Sequence, residues 1–486
     1  MTGIDTLGIE LLLVSLALIG AVFSNRISAL IRIPAPALFL VVAAILAKVF
    51  PTLGSMPRDT AESLVTIALV FILFDGGMHI GWKQFRASIG AIAWLGIAGT
   101  LVTAAVIAAA AFFFLGFDLR LSLLLGAAVA PTDPAVVFSV LGKREISGRT
   151  GTILEGESGA NDPVGIALLV SILAATGTGA SAIWGGVGEF GLQLIVGAAV
   201  GIAGGWGLGK LMRHASLPNE ALYSVSTIAC ATLIYGAATV LHGSGFLAVL
   251  LAGILVGDAR GPFKREIRRF ASGLATLGEI AAFSILGLSV PLNLVFEPQV
   301  IWPGLAIAAL LIIVVRPVFV GLLLVPVKLR LGERAFVLWA GLKGAVPILL
   351  GMFILGAHLP GGNQVFAIIF VVVLVSVVLQ GGLVPLFARL FRVPTRVIEP
   401  EPWASGLRFR ERPDGLDEYT VEAGSPADGS TIYALKLGDD GWVSLIRRNG
   451  ALVQVRGSTT LQAGDVVLAL GDGHNTLERL FQGKPN

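Results

Sequence analysis

Cysteine is almost missing from this chain: Cys230 is the only one in 486 residues. A disulfide framework and a cysteine-based metal site are both excluded within one chain. Charge is scarce too. Asp, Glu, Lys and Arg make up 13% of the residues against 55% hydrophobic, roughly half the charge of an ordinary soluble domain. No short signal-peptide pattern with a cleavage site opens the chain, so its first apolar run reads as a span that stays. No G-x-x-x-x-G-K-[ST] phosphate loop is present, so no ATP site of that type is expected. A T-V-G-Y-G carbonyl filter, which a potassium channel would need, is missing as well.

What is present is a series of apolar runs near the bilayer-spanning length of ~20 residues. Thirteen candidate spans are read at 6–24, 36–50, 62–81, 88–115, 120–141, 159–176, 187–210, 219–241, 244–258, 270–292, 301–326, 335–357 and 363–390. The basic residues test the count. Loops after odd-numbered spans hold Arg26 and Arg32; Lys83 and Arg86; Lys143, Arg144 and Arg149; Lys210 and Arg213; Arg260, Lys264, Arg265, Arg268 and Arg269; and Lys328, Arg330 and Arg334. The other loops hold almost none, with Lys48, Arg58 and Arg120 near span ends. This alternation predicts an outside N-terminus and a cytoplasmic C-terminal domain.

Charge also divides the chain. Residues 1–398 carry 25 Lys/Arg against 18 Asp/Glu, whereas residues 399–486 carry 9 against 13. The basic half is no nucleic-acid signal, because its charges sit in short loops. A boundary is expected near Pro394–Pro402. The domains read as a membrane domain at 1–392, a linker at 393–417 and a soluble domain at 418–486. An odd seventh span between two six-span units predicts inverted repeats, with a site at their interface. Two breaks fall at matching places: Ala130-Pro131-Thr132-Asp133-Pro134 in the fifth span and Gly341-Leu342-Lys343-Gly344-Ala345-Val346-Pro347 in the twelfth. Pro and Gly should unwind both helices there, and unwound backbone at that depth survives only where it is buried or lines a polar cavity.

Ionisable residues cluster at these breaks. Asp133 lies in the first and Lys343 in the second. Glu157, Ser158, Asn161 and Asp162 are expected at the start of the sixth span. Intramembrane charge is a functional candidate by default. Prolines alone are compatible with plain kinks, and a lone Asp with a structural role; two carboxylates and a lysine in matched breaks point to function. Ser158 and Asp162 share a helix face, so a carboxylate and a hydroxyl face one small cation, with Asp133 and carbonyls near Thr132 completing an oxygen cage. Desolvation favours a neutral carboxyl and a neighbouring cation favours the anion. Proton and cation therefore compete for Asp162, and a carrier that must hold one or the other is an exchanger. Asn161, uncharged beside Asp162, favours one-for-one, electroneutral exchange. Lys343 is read as a structural partner of Glu157 or as a participant in transport, the ion pair being preferred because breaking a buried pair strands a charge. Secondary candidates are Asp75, expected as a packing or interfacial residue, and Glu279 and Arg316 within spans ten and eleven. His242 is expected in a short, solvated external loop.

Thr132-Asp133-Pro134, Glu157-Ser158-x-x-Asn161-Asp162-Pro163 and Gly341-Leu342-Lys343-Gly344-Ala345 resemble the sodium/proton exchanger family, in its electroneutral Asn-Asp branch, over about residues 5–392. The resemblance implies an all-α polytopic fold of about 13 transmembrane helices in two inverted six-helix repeats with broken crossing helices. It further implies a homodimer, an elevator-like cycle and a multi-pass cell (inner) membrane location. By position, Asp162 matches the family's cation and proton carboxylate. Ser158, Asp133 and the Thr132 backbone match its companion ligands, and Glu157 matches the glutamate paired to a basic residue of the broken helix. Glu279-x-x-x-Phe283 also resembles a family feature. Lys343 departs from the Arg of many relatives, and a lysine titrates where an arginine does not.

In the tail, Trp442–Arg448 and Ala451–Val455 flank Asn449-Gly450, a strong hairpin signal. Asp465–Leu470 reads as a strand and Thr476–Phe481 as a short helix. Val421-x-x-Gly424-Ser425-Pro426, Ile446-Arg447-Arg448-Asn449-Gly450 and Leu461-x-x-Gly464-Asp465 resemble the TrkA-C domain, a small α+β module. The resemblance implies dimerisation, with or without regulation by a small cytoplasmic ligand such as a cyclic dinucleotide. No G-x-G-x-x-G domain precedes it, so NAD is not expected. Exchangers joined to such tails resemble potassium/proton antiporters of the cell-volume-regulation type, which favours K⁺ over Na⁺ as the ion exchanged for H⁺. No bound cofactor, nucleic acid or obligatory protein partner is expected beyond membrane lipid. The competing classes are a tail-gated channel and an intramembrane protease using Asp75 and Asp133, the latter disfavoured by the different depths expected for those two residues.

Overall fold

The computed structural model describes residues 34–50, 53, 56–141, 144–146, 148–175, 180–215, 217–259, 261–397, 416–435, 437, 442–449, 451–470 and 474–482, with Ser15, Ile19 and Gly20 as isolated positions. The expected first span, the Arg26, Arg32, Lys143 and Arg260 loop positions, most of the linker and Gly450 lie outside the described residues.

The membrane unit is helical. In chain order it contains α1 (Ala35–Val49), α2 (Arg58–Ala93), α3 (Thr100–Leu115), α4 (Leu119–Val129), α5 (Ala135–Leu141), α6 (Arg149–Ala174), α7 (Ala180–His214), α8 (Glu220–Val240) and α9 (Gly245–Gly257). It continues with α10 (Lys264–Leu288), α11 (Pro298–Leu310), α12 (Leu331–Trp339), α13 (Ala345–Gly356), α14 (Gly362–Val375) and α15 (Val384–Leu390). Spans two to thirteen each coincide with these elements. Among the described residues, six helical stretches are long and apolar enough to cross a membrane, and four shorter apolar helices accompany them. Side chains such as Ile195, Leu233 and Ile313 are about 70% exposed, as suits helices whose outer face meets lipid and whose backbone bonds stay internal.

Local chemistry sets several boundaries. Asp118 caps α4, its carboxylate accepting from the Arg120 and Leu121 N–H groups, and Ser244 caps α9 by accepting from Leu247. Spans three and four form one continuous helical stretch, Arg58–Leu115, bent at Gly81, whose φ of 66° is readily adopted only by glycine. Among the described residues, three π-helical segments, Trp94–Gly99, Leu311–Val320 and Ser376–Gly381, interrupt the long helices; such segments recur at functional sites. The expected start of span six is corrected. The helix begins at Arg149, ten residues before the expected 159, so Glu157 to Asp162 lie in its middle. Pro163 is accommodated inside it at the loss of one backbone donor.

A two-stranded antiparallel ladder joins distant segments. β1 (Arg144–Ile146), between α5 and α6, pairs with β2 (Thr395–Val397), just after α15, with Glu145 opposite Arg396. The chain divides into two compact units at Ile398/Glu399.

The second unit holds a four-stranded antiparallel sheet, β3 (Leu416–Thr420), β4 (Trp442–Arg448), β5 (Ala451–Val453) and β6 (Val466–Leu470), in the order β3-β6-β4-β5, followed by α16 (His474–Gln482). Arg448 opposite Ala451 closes the hairpin around Asn449, whose φ is 49°. Its core includes Tyr419, Ile446, Val467, Leu477 and Phe481. Asp465, 1% exposed, accepts from Arg448 Nε (2.8 Å) and Nη2 (2.7 Å) and from the Gln462 N–H (2.9 Å). Burial alone would raise its carboxyl, but the bonds from Arg448 and Gln462 and the Arg448 charge hold it below the usual range. A depressed folded value stabilises above the unfolded pKa and is lost as pH falls through the folded one. Acidification below about pH 4 should therefore loosen this domain, and Asp465→Asn should speed hydrogen exchange in β4 and β5 at neutral pH by about tenfold. Unchanged exchange in the variant would count against this brace.

Candidate functional site

The two expected breaks meet. Five unwound residues separate α4 from α5 and five separate α12 from α13, and the Asp133 N–H donates to the Leu342 carbonyl across the gap (2.8 Å). Helix ends orphan donors and acceptors that must find partners away from water, and here they do. Lys343 Nζ donates to the Ala130 (2.8 Å) and Pro131 (3.1 Å) carbonyls. The Thr132 N–H donates to Asn161 Oδ1 (3.2 Å), and Asn161 Nδ2 donates to Thr132 Oγ1 (2.6 Å). Ser158 Oγ donates to the Thr132 carbonyl (2.6 Å). Gly344 is required by this crossing, since a Cβ there would overlap the Asp133 carboxylate.

On the other side, Arg316 ties down the end of α12. It donates from Nη2 to Val337 (2.9 Å), from Nε to Leu338 (3.3 Å) and from Nη1 to Glu157 Oε1 (2.6 Å). Glu157 and Arg316 are both buried. The expected Glu157–Lys343 pair is thus corrected: Glu157 pairs with Arg316. A guanidinium fork can serve a carboxylate and two carbonyls at once, which one ammonium cannot. Lys343 is left to neutralise the carbonyl end of α4, where a cation suits the helix dipole.

Asp162 is 7% exposed, and its Oδ1 has no hydrogen-bond partner among the described residues. It lines a cavity of about 500 Å³ together with Ser158, Asp133, Asp75 and Glu279. Asn161 and Thr132 hold the break behind it and are not among the lining residues. Asp75 is more than a packing residue. It accepts from Ser272 Oγ (2.8 Å), lies 3.4 Å from the His79 ring and shares the cavity with Asp133. His242 is exposed in the turn after α8.

A cavity with several carboxylates on its wall, one buried carboxylate oxygen of Asp162 without a partner among the described residues, and crossed broken helices beside it suits a small cation. The family model for the transmembrane sodium/hydrogen exchangers matches residues 13–390. The chain belongs to the sodium/hydrogen exchanger family. A TrkA-C domain model matches residues 416–482. The chain is 33% identical over 438 residues to a K(+)/H(+) antiporter NhaP2 of Shewanella oneidensis, covering 88% of this chain and 75% of that protein. It is 34% identical over 394 residues to a K(+)/H(+) antiporter NhaP of Alkalimonas amylolytica (80% and 68%). A Na(+)/H(+) antiporter NhaH of Halobacillus dabanensis is 27% identical over 346 residues (68% and 83%). The fold matches that of the sodium proton antiporter MjNhaP1 of Methanocaldococcus jannaschii, with a TM-score of 0.66 at 22% identity, covering 79% of this chain and 98% of that one. The exchanger is a membrane-embedded cation/proton antiporter, a transporter and no enzyme, so the protease reading falls away.

Several polar residues of the exchanger's cavity were missed in the sequence. Glu155 lies seven residues before Asp162, two turns away on the same face of α6. Ser272 and Thr276 extend the expected Glu279 into a stripe on one face of α10, and His79 sits one turn after the expected Asp75 on α2. The signal is a helical period of polar residues, hidden for Glu155 because Arg149 to Glu157 lacks the hydropathy of a span.

Proposed function

We propose that this exchanger is an electroneutral K⁺/H⁺ antiporter of a cell (inner) membrane, in which K⁺ and H⁺ compete for Asp162. The observation that carries the site is the Asp162 Oδ1 without a partner among the described residues on a cavity wall, while Thr132, Asn161 and Lys343 at the break behind it are hydrogen-bonded. Ser158 and Asp133 are its companion ligands, Thr132 supplies backbone oxygen, and Asn161 orients Thr132. Glu157 braces the site through Arg316, and Asp75 and Glu279 line the ion's path. With the Lys/Arg-rich loops on the cytoplasmic side, the end of the cavity near His79 and Glu155 is the cytoplasmic one, and the N-terminus is outside. Alternating access moves the crossed breaks in an elevator-like cycle within a homodimer.

K⁺ is preferred because the relatives named K(+)/H(+) antiporters are more similar and cover more of the chain than the one named for Na⁺. The second reading, Na⁺/H⁺ exchange by the same fold, is favoured by the similarity to NhaH. The tail regulates as well as dimerises, with a small cytoplasmic ligand such as a cyclic dinucleotide as its effector. Support for regulation comes from β2, which leads towards the tail and pairs with the loop between α5 and α6.

Everted vesicles carrying the protein separate the readings. K⁺ added at low concentration should dissipate a preformed pH gradient faster than Na⁺ or Li⁺, with no dependence on membrane potential. Dissipation by Na⁺ with none by K⁺ would overturn the assignment of the ion, and a strong potential dependence that of the stoichiometry.

A further inference from the structure

In the apolar run 365–384 of the last span, two side chains are polar, Ser376 and Gln380; each is 2% exposed. Buried polar groups at that depth are costly unless paired. These two form a closed circuit around the second break. The Lys343 N–H donates to Ser376 Oγ (2.9 Å), and Ser376 Oγ donates to Gln380 Oε1 (2.9 Å). Gln380 Nε2 donates to the Trp339 carbonyl, and Trp339 Nε1 donates back to the Gln380 carbonyl (3.3 Å). Trp339 is the last residue of α12, and Lys343 lies two residues before α13. The circuit therefore grips the unwound stretch at both ends, from a π-helical segment of a third helix.

What it grips is the backbone of Lys343. The side chain of that residue crosses to the other break, with its ammonium on the Ala130 and Pro131 carbonyls and within electrostatic reach of Asp162. A shift of the Lys343 backbone would move that charge relative to the exchange carboxylate, and in a low-dielectric site a small displacement of charge matters. We infer that Ser376 and Gln380 are positioning residues for the exchange reaction, fixing where Lys343 stands against the first break and Asp162. The inference rests on Asp162 as the exchange site, which substitution of Asp162 tests separately.

Three reconstituted variants decide it: Gln380→Met, Ser376→Ala and Ser376→Thr. Methionine keeps the side-chain length, so the void of about 10 Å³ beside Gln380 and Lys343 does not grow. The readouts are the half-saturating K⁺ and Na⁺ concentrations, the pH of half-maximal rate, and the rate per folded protein. Gln380→Met and Ser376→Ala should lower the rate about tenfold and move half-saturation about threefold or more, with the pH profile displaced. Ser376→Thr keeps the hydroxyl and should stay within about twofold of the parent. Unaltered half-saturation and pH profile, with rate lost only in proportion to folded protein, would overturn the inference. So would a Ser376→Thr protein as impaired as Ser376→Ala. If Gln380→Met does not fold, the Ser376 pair decides.

Discussion

Asp162→Asn is expected to bring exchange in everted vesicles to background, a loss of at least about a hundredfold, as when an essential proton carrier is removed. An amide cannot hold a proton in one half of the cycle and a cation in the other. The protein should nevertheless fold and melt at least as high as the parent. Asp162 Oδ1 makes no hydrogen bond among the described residues, so the substitution breaks none there and removes a buried charge. Loss of transport with stability kept is the signature of a carboxylate that serves function at some cost to the fold. A variant that exchanges K⁺ or Na⁺ for H⁺ at the parental rate would sink the assignment of the site.

Arg316→Met should act in the opposite sense, on the fold first. Arg316 is the salt-bridge partner of Glu157 and also binds the Val337 and Leu338 carbonyls. Removing it strands a buried carboxylate and two carbonyls at a helix end. Breaking one side of a buried pair costs about 3–5 kcal/mol, and the thermal midpoint in detergent should fall by several degrees. Arg316→Lys should recover little, since an ammonium lacks the fork. Pairing Arg316→Met with Glu157→Gln should recover part of the loss by removing the stranded charge. Melting of Arg316→Met at the parental temperature would rule out this role.

Much of the fold was legible because apolar runs and alternating basic loops leave few alternatives for spans two to thirteen. The two breaks were legible for the same reason: Pro and Gly in a long apolar run have few other uses. The pairing of charges was not. Arg316 and Lys343 carry the same sign, and nothing in their spacing says which faces Glu157; that depends on how the π-helical segment Leu311–Val320 is turned against α6. The start of α6 was misjudged because Arg149 to Glu157 is rich in Gly, Thr and Glu and reads as a loop in a hydropathy pattern, although it is helical and largely buried. The circuit of Ser376 and Gln380 left no motif at all, since each residue meets partners more than thirty positions away. In the tail, Asn449 announced its hairpin, whereas β3, with Asp417 and Glu418 before the buried Tyr419, had too polar a sequence to be read as an edge of the sheet.

The ladder between β1 and β2 bears on how the protein is made. Its two strands lie about 250 residues apart in the chain, one before the helix that carries Asp162 and the other after the last membrane helix. During synthesis β1 emerges long before β2 exists, so the loop between α5 and α6 enters the folding membrane unit with its strand edge unpaired. Contacts of such long sequence separation close late, and domains generally fold as units in order of synthesis. Closure of the ladder therefore belongs to the end of assembly, once the chain has passed Val397 and before the tail is complete. The strand that pairs with the loop between α5 and α6 thus also marks the point at which the membrane unit is finished.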